Sequence, residues 1–235
     1  MTEGAFSRSS ALLGEEAMSR LAASRVLVVG VGGVGGWCAE ALVRTGVGHI
    51  TVMDDDVVVE SNLNRQCPAT VSAIGRMKVD AMRERLLVIN PMADVYARAE
   101  RFTGEEDIDG YDAVVDAIDS VDCKAALILK AVEMDVPVVS SMGAALRTDP
   151  TRVKVTRFDK VAGDGLARAL RRRFREGGRE LPKFDCVWSE EPPVECESRG
   201  SLMQVTATFG MCLAARVVDM LTRPPSLAVC SVHML

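Results

Sequence analysis

The sequence predicts an α/β protein with a doubly wound, mainly parallel sheet, helices on both faces and a C-terminal extension. Two observations predict this fold class. Up to Met142, short apolar runs rich in β-branched residues alternate with segments of helical periodicity, which is the chain order of a parallel sheet. The chain also has 235 residues, 48% of them hydrophobic, which is enough to bury one large core.

The first predicted elements lead into and out of a run of glycines. Residues 14–25 have apolar side chains at helical spacing, and residues 25–30 form a β-branched run that ends in glycine, as a buried strand does. Residues 37–45 are helix-like until two glycines interrupt them. Residues 49–53 then predict a second strand, which three aspartates follow.

Helix and strand patterns continue to alternate after the aspartates. Residues 77–89 are periodic and rich in helix formers, and residues 93–99 and 113–117 are strand-like. Residues 124–134 predict a helix, and residues 137–141 predict the strand that follows it.

The pattern changes from Arg147 onward. Residues 152–158 predict one more strand, and a long charged stretch follows it. We therefore divide the chain into a first domain, residues 1–146, and a C-terminal extension of the same fold, residues 147–235.

The late apolar stretch, residues 202–221, contains Arg216 and Asp219. Both charges would be costly near the middle of a bilayer, so we predict a helix packed on the sheet. The first residues lack the uninterrupted apolar segment and cleavage site of a signal peptide. We therefore expect a cytoplasmic protein without membrane contact.

Charge and cysteine content exclude several kinds of site. A net charge of -5 gives no overall attraction to nucleic acid, so such contact would need a local basic patch. The seven cysteines are odd in number and include no CxxC pair, which argues against a disulfide framework and a zinc knuckle. We expect no zinc.

A glycine pattern between a predicted strand and a predicted helix indicates a nucleotide-binding turn. The absent side chains let the backbone approach a nucleotide, and helix amides face its phosphates. The residues that match GxGxxG are Gly30, Gly32, Gly33 and Gly35. Asp54 follows at a strand end, where a carboxylate accepts hydrogen bonds from ribose hydroxyls. These residues predict a Rossmann-like domain for an adenine nucleotide, and alone they favour a dinucleotide over ATP.

The next segment shifts the balance towards ATP. Asn62 and Arg65 lie in the run SNLNRQ, and Lys78 stands at the start of a predicted helix. Two cations and an amide suit a triphosphate, because arginine holds phosphate oxygens bidentately and lysine acts on them as a point charge. Asp119 and Ser120 follow another strand-like run, where a carboxylate suits Mg²⁺ on the phosphates.

These residues resemble the adenylation domain of the ubiquitin-activating-enzyme superfamily over roughly residues 6–145. The superfamily includes the activators of the molybdopterin and thiamine sulfur carriers, and its GxGGxG, SNLNRQ and DAIDS motifs occur here in the same order. The resemblance assigns ribose binding to Asp54, Mg²⁺ binding to Asp119, and phosphate binding to Asn62, Arg65 and Lys78. The glycine turn and Ser120 complete the expected ATP-binding set.

Within this superfamily the chain is most similar to the family of tRNA threonylcarbamoyladenosine dehydratases, and this likeness extends to about residue 222. It rests on the motifs FSR, RTGVGHITVMDDD, VVDAIDSVDCKAAL, DPTRVKVT and FDCVWSEEPP. The resemblance implies that ATP adenylates the carboxylate of the modified adenosine, which then cyclises with net loss of water. A sulfur-relay protein is a candidate partner.

The resemblance also implies a catalytic set that stabilises charge on the phosphates. Its members are Arg8, Arg65, Lys78, and Asp119 with its Mg²⁺. Arg8 matches the family arginine that reaches into the partner subunit's site, which makes the expected enzyme a homodimer.

Other interpretations stay open at this point. The chain could instead activate the C-terminal carboxylate of a small ubiquitin-like or sulfur-carrier protein, with Cys186 as a thiol, although buried and inert cysteine is the commoner state. A nicotinamide-dependent oxidoreductase and a catalytically silent nucleotide-binding scaffold are further alternatives. Arg65 and Lys78 could be solvated surface charges, and Asp119 could be a helix cap.

The extension carries a basic patch that the net charge conceals. Residues 147–183 hold twelve basic and five acidic residues. Such runs are usually solvated helix faces, but RALRRRFRE inside an acidic protein suits contact with a phosphate backbone. We predict that tRNA binds around Arg168 to Lys183.

Overall fold

The computed structural model describes residues 4–198 and 200–223, and it arranges seven strands in one sheet. The strands are β1 (Arg25–Val29), β2 (His49–Met53), β3 (Asp94–Arg98), β4 (Ala113–Asp116), β5 (Val138–Ser141), β6 (Val153–Arg157) and β7 (Asp185–Ser189). They lie in the order β3-β2-β1-β4-β5-β7-β6, and neighbouring strands are parallel except for β6 and β7. The predicted doubly wound, mainly parallel sheet is confirmed.

Seven α-helices accompany the sheet within the described residues. They are α1 (Ser7–Leu13), α2 (Glu15–Ala23), α3 (Gly35–Thr45), α4 (Lys78–Ile89), α5 (Val121–Glu133), α6 (Gly165–Glu176) and α7 (Met203–Thr222). Gly46 ends α3 in a left-handed conformation with φ 114°, and its N–H donates to the carbonyl groups of Leu42 and Val43.

Side chains of β1 alternate between two cores, one on each face of the sheet. Val26 and Val28 pack into the core that α2, α3, α4 and α7 cover. Leu27 and Val29 pack into the core under α5 and α6. All four side chains are buried, and this is why the strand is a continuous apolar run in the sequence.

Helix α7 closes one of these cores. It is the one helix among the described residues that could cross a membrane by length and composition alone. Its Phe209, Leu213 and Val217 are instead fully buried in the core of the protein. A Cβ on Gly210 would lie 2.5 Å from the carbonyl oxygen of Val34, so glycine is needed for α7 to pack this close to α3. The predicted helix packed on the sheet is confirmed.

The extension joins the same sheet, because β7 inserts between β5 and β6. The charged stretch before β7 forms α6, which buries Ala167, Leu170 and Phe174 against the sheet core. Neither α6 nor β7 was among the predicted elements. Strands from both sides of residue 146 share one sheet. The division of the chain at that residue stays a prediction.

Candidate functional site

A cleft of about 570 Å³ opens where β1, β2, β4 and β5 end at their carboxyl termini, the edge at which such sheets bind ligands. It is walled by the glycine turn after β1, the acidic run after β2, and the loops after β4 and β5. The predicted residues that line it are Gly30, Gly32, Gly33, Asp54, Asn62, Arg65, Lys78, Asp119 and Ser120. Residues far apart in the chain thus share one cavity.

Two glycines allow the turn after β1 to pack tightly. Gly30 has φ +87°, and a Cβ there would lie 2.7 Å from the carbonyl oxygen of Ala117. A Cβ on Gly35 would lie 1.8 Å from the carbonyl oxygen of Gly30. The turn therefore contacts the β4–α5 loop directly, and Gly35 shapes the turn although it is not part of the cleft lining.

Two backbone N–H groups orient the carboxylate of Asp54, the residue after β2. Its Oδ2 accepts from the N–H of Val31 at 2.8 Å, and its Oδ1 accepts from the N–H of Asp56 at 2.9 Å. Burial raises the pKa of this carboxyl group above its ordinary value, while Lys78 and the two N–H groups act in the opposite direction. A carboxylate fixed beside the glycine turn suits the predicted contact with ribose.

Lys78 and Arg65 bring positive charge to the cleft from different elements. Lys78 is 5% exposed on the first turn of α4, and its Nζ donates to Oδ2 of Asp56 at 2.6 Å. Arg65 donates from Nη1 to the carbonyl oxygen of Ser61 at 2.8 Å. A Cβ on Gly33 would lie 3.3 Å from Cγ of Arg65, so the arginine stem runs along the glycine turn. Neither cation is a freely solvated surface charge.

The segment that contains Asn62 and Arg65 is held on several sides. Oδ1 of Asn62 accepts from the N–H of Val59 at 3.1 Å, and Asn62 is buried. The indole N–H of Trp37 donates to the carbonyl oxygen of Arg65 at 2.9 Å. Nδ2 of Asn64 donates to the carbonyl oxygen of Ser201 at 3.0 Å. These bonds fix the polar segment against α3 and the segment that precedes α7.

Among the acidic side chains that line the cleft, Asp119 is the one whose two carboxylate oxygens both lack a partner among the described residues. It is exposed in the β4–α5 loop, and its carboxylate makes no hydrogen bond or ion pair with any residue that the structure describes. Ser120, and not Asp119, is the N-cap residue of α5, and no side chain caps that helix. An exposed carboxylate that lines this cleft fits Mg²⁺, which favours one or two carboxylates together with substrate phosphates.

Three consecutive aspartates form a second acidic group at the cleft. The carboxylates of Asp54, Asp55 and Asp56 lie within 4.8 Å of one another. Asp54 accepts the two backbone bonds, Asp55 accepts from Nε of Arg101 at 2.9 Å, and Asp56 pairs with Lys78. These partners leave Asp119 as the better candidate for the metal.

Some cleft residues were missed in the sequence. Arg101 lines the cleft three residues after β3 ends, and the rule that ligands meet strand carboxyl ends could have found it. Thr206 reaches the cleft from α7, and no local motif marks it. Arg8 is exposed on α1 and is not part of the cleft lining of its own chain.

Cys186 lies fully buried on β7. Burial raises the pKa of its thiol to about 12. A thiol that stays protonated and inaccessible is not a nucleophile at neutral pH, so the structure gives no support to a catalytic thiol at this position.

A match over nearly the whole chain decides the family. The model of the ThiF family matches residues 6–232. The chain belongs to the ThiF family. The family that the motifs predicted is therefore confirmed.

Several relatives of this ThiF family chain are named tRNA threonylcarbamoyladenosine dehydratase. A tRNA threonylcarbamoyladenosine dehydratase of Bacillus subtilis is 40% identical over 194 residues, which cover 80% of this chain and 76% of that protein. The protein of the same name from Escherichia coli is 38% identical over 213 residues, or 86% and 80% of the two chains. The crystal structure of the E. coli enzyme in complex with ATP matches with a TM-score of 0.88 over 92% of this chain and 93% of that one.

In this ThiF family member, carboxylates neutralise part of the basic extension. The ion pairs are Lys154–Glu190, Arg157–Asp159, Arg172–Glu176, Arg173–Asp122 and Arg179–Glu133. Arg171 stacks 4.9 Å from the ring centre of Phe158 and donates to two carbonyl groups. Within the described residues of the extension, 147–198 and 200–223, the exposed basic side chains without a carboxylate partner are Arg152, Lys160, Arg168, Arg175 and Lys183.

Proposed function

We propose that this protein is an ATP-dependent dehydratase that adenylates the carboxylate of threonylcarbamoyladenosine in tRNA and promotes its cyclisation. The observation that carries the proposal is the cleft, where the glycine turn, Asp54, Arg65, Lys78 and Asp119 line one cavity. The chain that forms this cleft is 38% identical to a dehydratase of that substrate which has been crystallised with ATP.

The reaction converts a poor electrophile into a reactive one. A carboxylate oxygen of the substrate attacks the α-phosphorus of ATP, and the bond to the β-phosphate breaks to release pyrophosphate. A nucleophile in the substrate's own side chain then attacks the acyl carbon, loses its proton, and displaces AMP. Since AMP carries away the former carboxylate oxygen, the modified adenosine has lost one water.

The side chains of the cleft supply orientation and positive charge. Asp54 would accept hydrogen bonds from the ribose and so fix the nucleotide along the glycine turn. Arg65 and Lys78 would stabilise the charge that develops on the phosphates as pyrophosphate leaves. Lys78 donates one hydrogen bond to Asp56 and retains further N–H donors for phosphate oxygens.

Asp119 is the residue that we propose for Mg²⁺. Its carboxylate has no other partner among residues 4–198 and 200–223, and it lines the cleft beside Ser120. The ion, when bound, would offset part of the phosphate charge.

We propose that tRNA contacts the free part of the basic extension. Arg168, Arg175 and Lys183 lie in the predicted region, and all three are exposed without a carboxylate partner in the described chain. Exposed cations that no carboxylate neutralises are the ones available to backbone phosphates. A cytoplasmic location, where this substrate would be met, belongs to the same proposal.

We also propose a homodimer in which Arg8 acts on the cleft of the partner subunit. Arg8 is exposed on α1 and is absent from the lining of its own cleft, which supports a role outside its own chain. A sulfur-relay protein is a further expected partner, and the family resemblance alone supports it.

The test is mass spectrometry of nucleosides from threonylcarbamoylated tRNA after incubation with the protein, ATP and Mg²⁺. We expect the modified adenosine to lose one water in an ATP-dependent manner, and we expect Asp119→Ala to abolish the change. Unmodified tRNA serves as the substrate control. If the mass stays unchanged while the protein binds ATP, the substrate assignment is wrong.

Activation of a protein carboxylate is the second candidate function. Relatives named adenylyltransferase and sulfurtransferase uba4 are 30% identical to this chain, which spans 46% of one of them. A protein substrate would give ATP–pyrophosphate exchange with a carrier protein and without tRNA. The buried Cys186 argues against a thioester route, and trapping of a thioester that Cys186→Ala abolishes would reverse that conclusion.

A further inference from the structure

A buried ion pair lies next to the cleft without taking part in the proposed ATP contacts. Lys124 on the first turn of α5 and Asp116 at the end of β4 are both fully buried. Nζ of Lys124 donates to Oδ2 of Asp116 at 2.7 Å. Lysine is rarely fully buried unless it is paired, so this pair needs an explanation.

The ammonium group of Lys124 joins the ends of two strands. Besides Asp116, it donates to Oγ of Ser140 at 3.3 Å and to the carbonyl oxygen of Ser141 at 2.9 Å. Oγ of Ser140 donates in turn to Oδ2 of Asp116 at 2.5 Å. The network therefore connects the carboxyl ends of β4 and β5 to the start of α5, where both strands meet the cleft.

The second oxygen of Asp116 holds the β4–α5 loop. Its Oδ1 accepts from the N–H of Ile118 at 3.1 Å. The carbonyl oxygen of Ala117 faces Gly30 across a gap that leaves no room for a Cβ. The same loop continues to Asp119, so the group that fixes Asp116 also fixes the backbone that presents Asp119 to the cleft.

Stability alone does not account for two buried charges. Desolvation offsets much of the attraction within such a pair, and apolar residues of similar volume often stabilise a core as well or better. A network in which every donor of Lys124 has a partner does, however, restrict the conformations of the groups that it joins.

We infer that Lys124, acting through Asp116, is a positioning residue that fixes residues 117–120 so that Asp119 faces the nucleotide. This inference rests on the proposed function for the ligand of Asp119. The geometry of the loop is independent of that function.

The test compares Lys124→Met with the double variant Asp116→Asn/Lys124→Met in the full-length protein. The double variant removes both charges but keeps an oxygen on residue 116 that can accept from Ile118. Lys130→Met is the matched control, because Lys130 lies on the same helix and donates to the carbonyl oxygen of Gly104 instead. Ser140→Ala provides a milder variant if Lys124→Met does not fold.

Two readouts are measured for each variant: amide hydrogen exchange of residues 117–120, and ATP binding by calorimetry with Mg²⁺ or with EDTA. We expect Lys124→Met to speed exchange in that loop and to raise the half-saturating Mg²⁺ concentration at fixed ATP about tenfold or more. ATP binding in EDTA should change far less. The double variant relieves the unpaired charge but still lacks the bonds of Lys124, so it should keep most of the loss, and full recovery there would overturn the inference. Ser140→Ala should shift both readouts in the same direction, and Lys130→Met should match the wild type.

A folded Lys124→Met with unchanged loop exchange and unchanged Mg²⁺ dependence would overturn the inference. So would equal losses with Mg²⁺ and with EDTA, since these would indicate a general loss of structure. If only Ser140→Ala folds, unchanged values in that variant overturn it. If the wild-type protein dehydrates no tRNA, the proposed function fails, while the exchange of residues 117–120 still decides the role of Lys124.

Discussion

Gly30→Ala and Gly75→Ala place the same side chain on the same backbone conformation with different consequences. Both glycines have φ +87°, so both alanines would adopt a left-handed conformation at a cost of about 1–2 kcal/mol. A Cβ on Gly75 would meet no atom within 4 Å, whereas a Cβ on Gly30 would lie 2.7 Å from the carbonyl oxygen of Ala117. Ordinary contact begins near 3.4 Å, so Ala117 would have to retreat by about 0.7 Å.

That retreat adds overpacking strain of about 1–3 kcal/mol to the folded state, which lowers the free energy of unfolding by the same amount. We therefore expect Gly30→Ala to lower stability by about 2–5 kcal/mol and Gly75→Ala by about 1–2 kcal/mol in urea unfolding. Because Ala117 lies in the loop that carries Asp119, the displacement should also reduce ATP-dependent dehydration roughly 100-fold in the Gly30 variant alone. Equal losses of stability and activity in the two variants would refute the steric argument.

Other substitutions test the cleft, the thiol, the basic surface and the acid limit of stability. Lys78→Met should weaken ATP binding in calorimetry roughly tenfold or more, because hydrogen bonds to charged groups contribute about 1.5–3 kcal/mol. Arg76 does not line the cleft, so Arg76→Met should leave ATP binding unchanged. Cys186→Ala should keep its activity, and a thiol reagent at pH 8 should label the exposed Cys196 before Cys186, whose pKa is about 12; an inactive but folded variant would contradict this. Arg168→Ala/Arg175→Ala should weaken tRNA binding and reduce the slope of log affinity against log salt by about 1–2, whereas Arg179→Ala, whose partner is Glu133, should change both less. Burial opposes ionisation of Glu40, but hydrogen bonds from Arg85, Cys67 and Arg44 bring its pKa below the ordinary value. The ionised Glu40 therefore contributes to stability above about pH 4.3, and this contribution is lost as the pH falls through the folded pKa. Glu40→Gln should flatten the acid side of the curve of unfolding free energy against pH. An unchanged slope on the acid side would contradict this role of Glu40.

Most of the fold could be predicted because its central strands are buried on both faces. The residues of β2 were predicted at their observed bounds, since a short apolar run lies between glycine and aspartate. Helix α6 was missed although Ala167, Leu170 and Phe174 have helical spacing, because arginines occupy most of the positions between them. Strand β7 has only five residues and polar side chains at both ends, so local pattern does not distinguish it from a loop.

The nucleotide-binding residues could be predicted because they belong to local motifs at strand ends. The ion pairs of the basic extension could not be predicted, because many of the carboxylate partners lie on other elements of the fold. Arg173 pairs with Asp122 on α5, and Arg179 pairs with Glu133 at the other end of that helix. The count of basic residues therefore overstated the surface that is free to bind phosphate. The buried pair of Lys124 and Asp116 likewise depends on how β4, β5 and α5 meet.

The contact between α7 and the glycine turn also makes the cleft depend on a late segment of the chain. A Cβ on Gly33 would lie 3.4 Å from Thr206, and Thr206 lines the cleft. A nascent chain that ends before Met203 carries the glycine turn, Lys78 and Asp119 but lacks this wall. A ligand that binds only the folded state stabilises it by mass action, so we expect ATP to stabilise a chain that includes α7 more than one that ends before Met203.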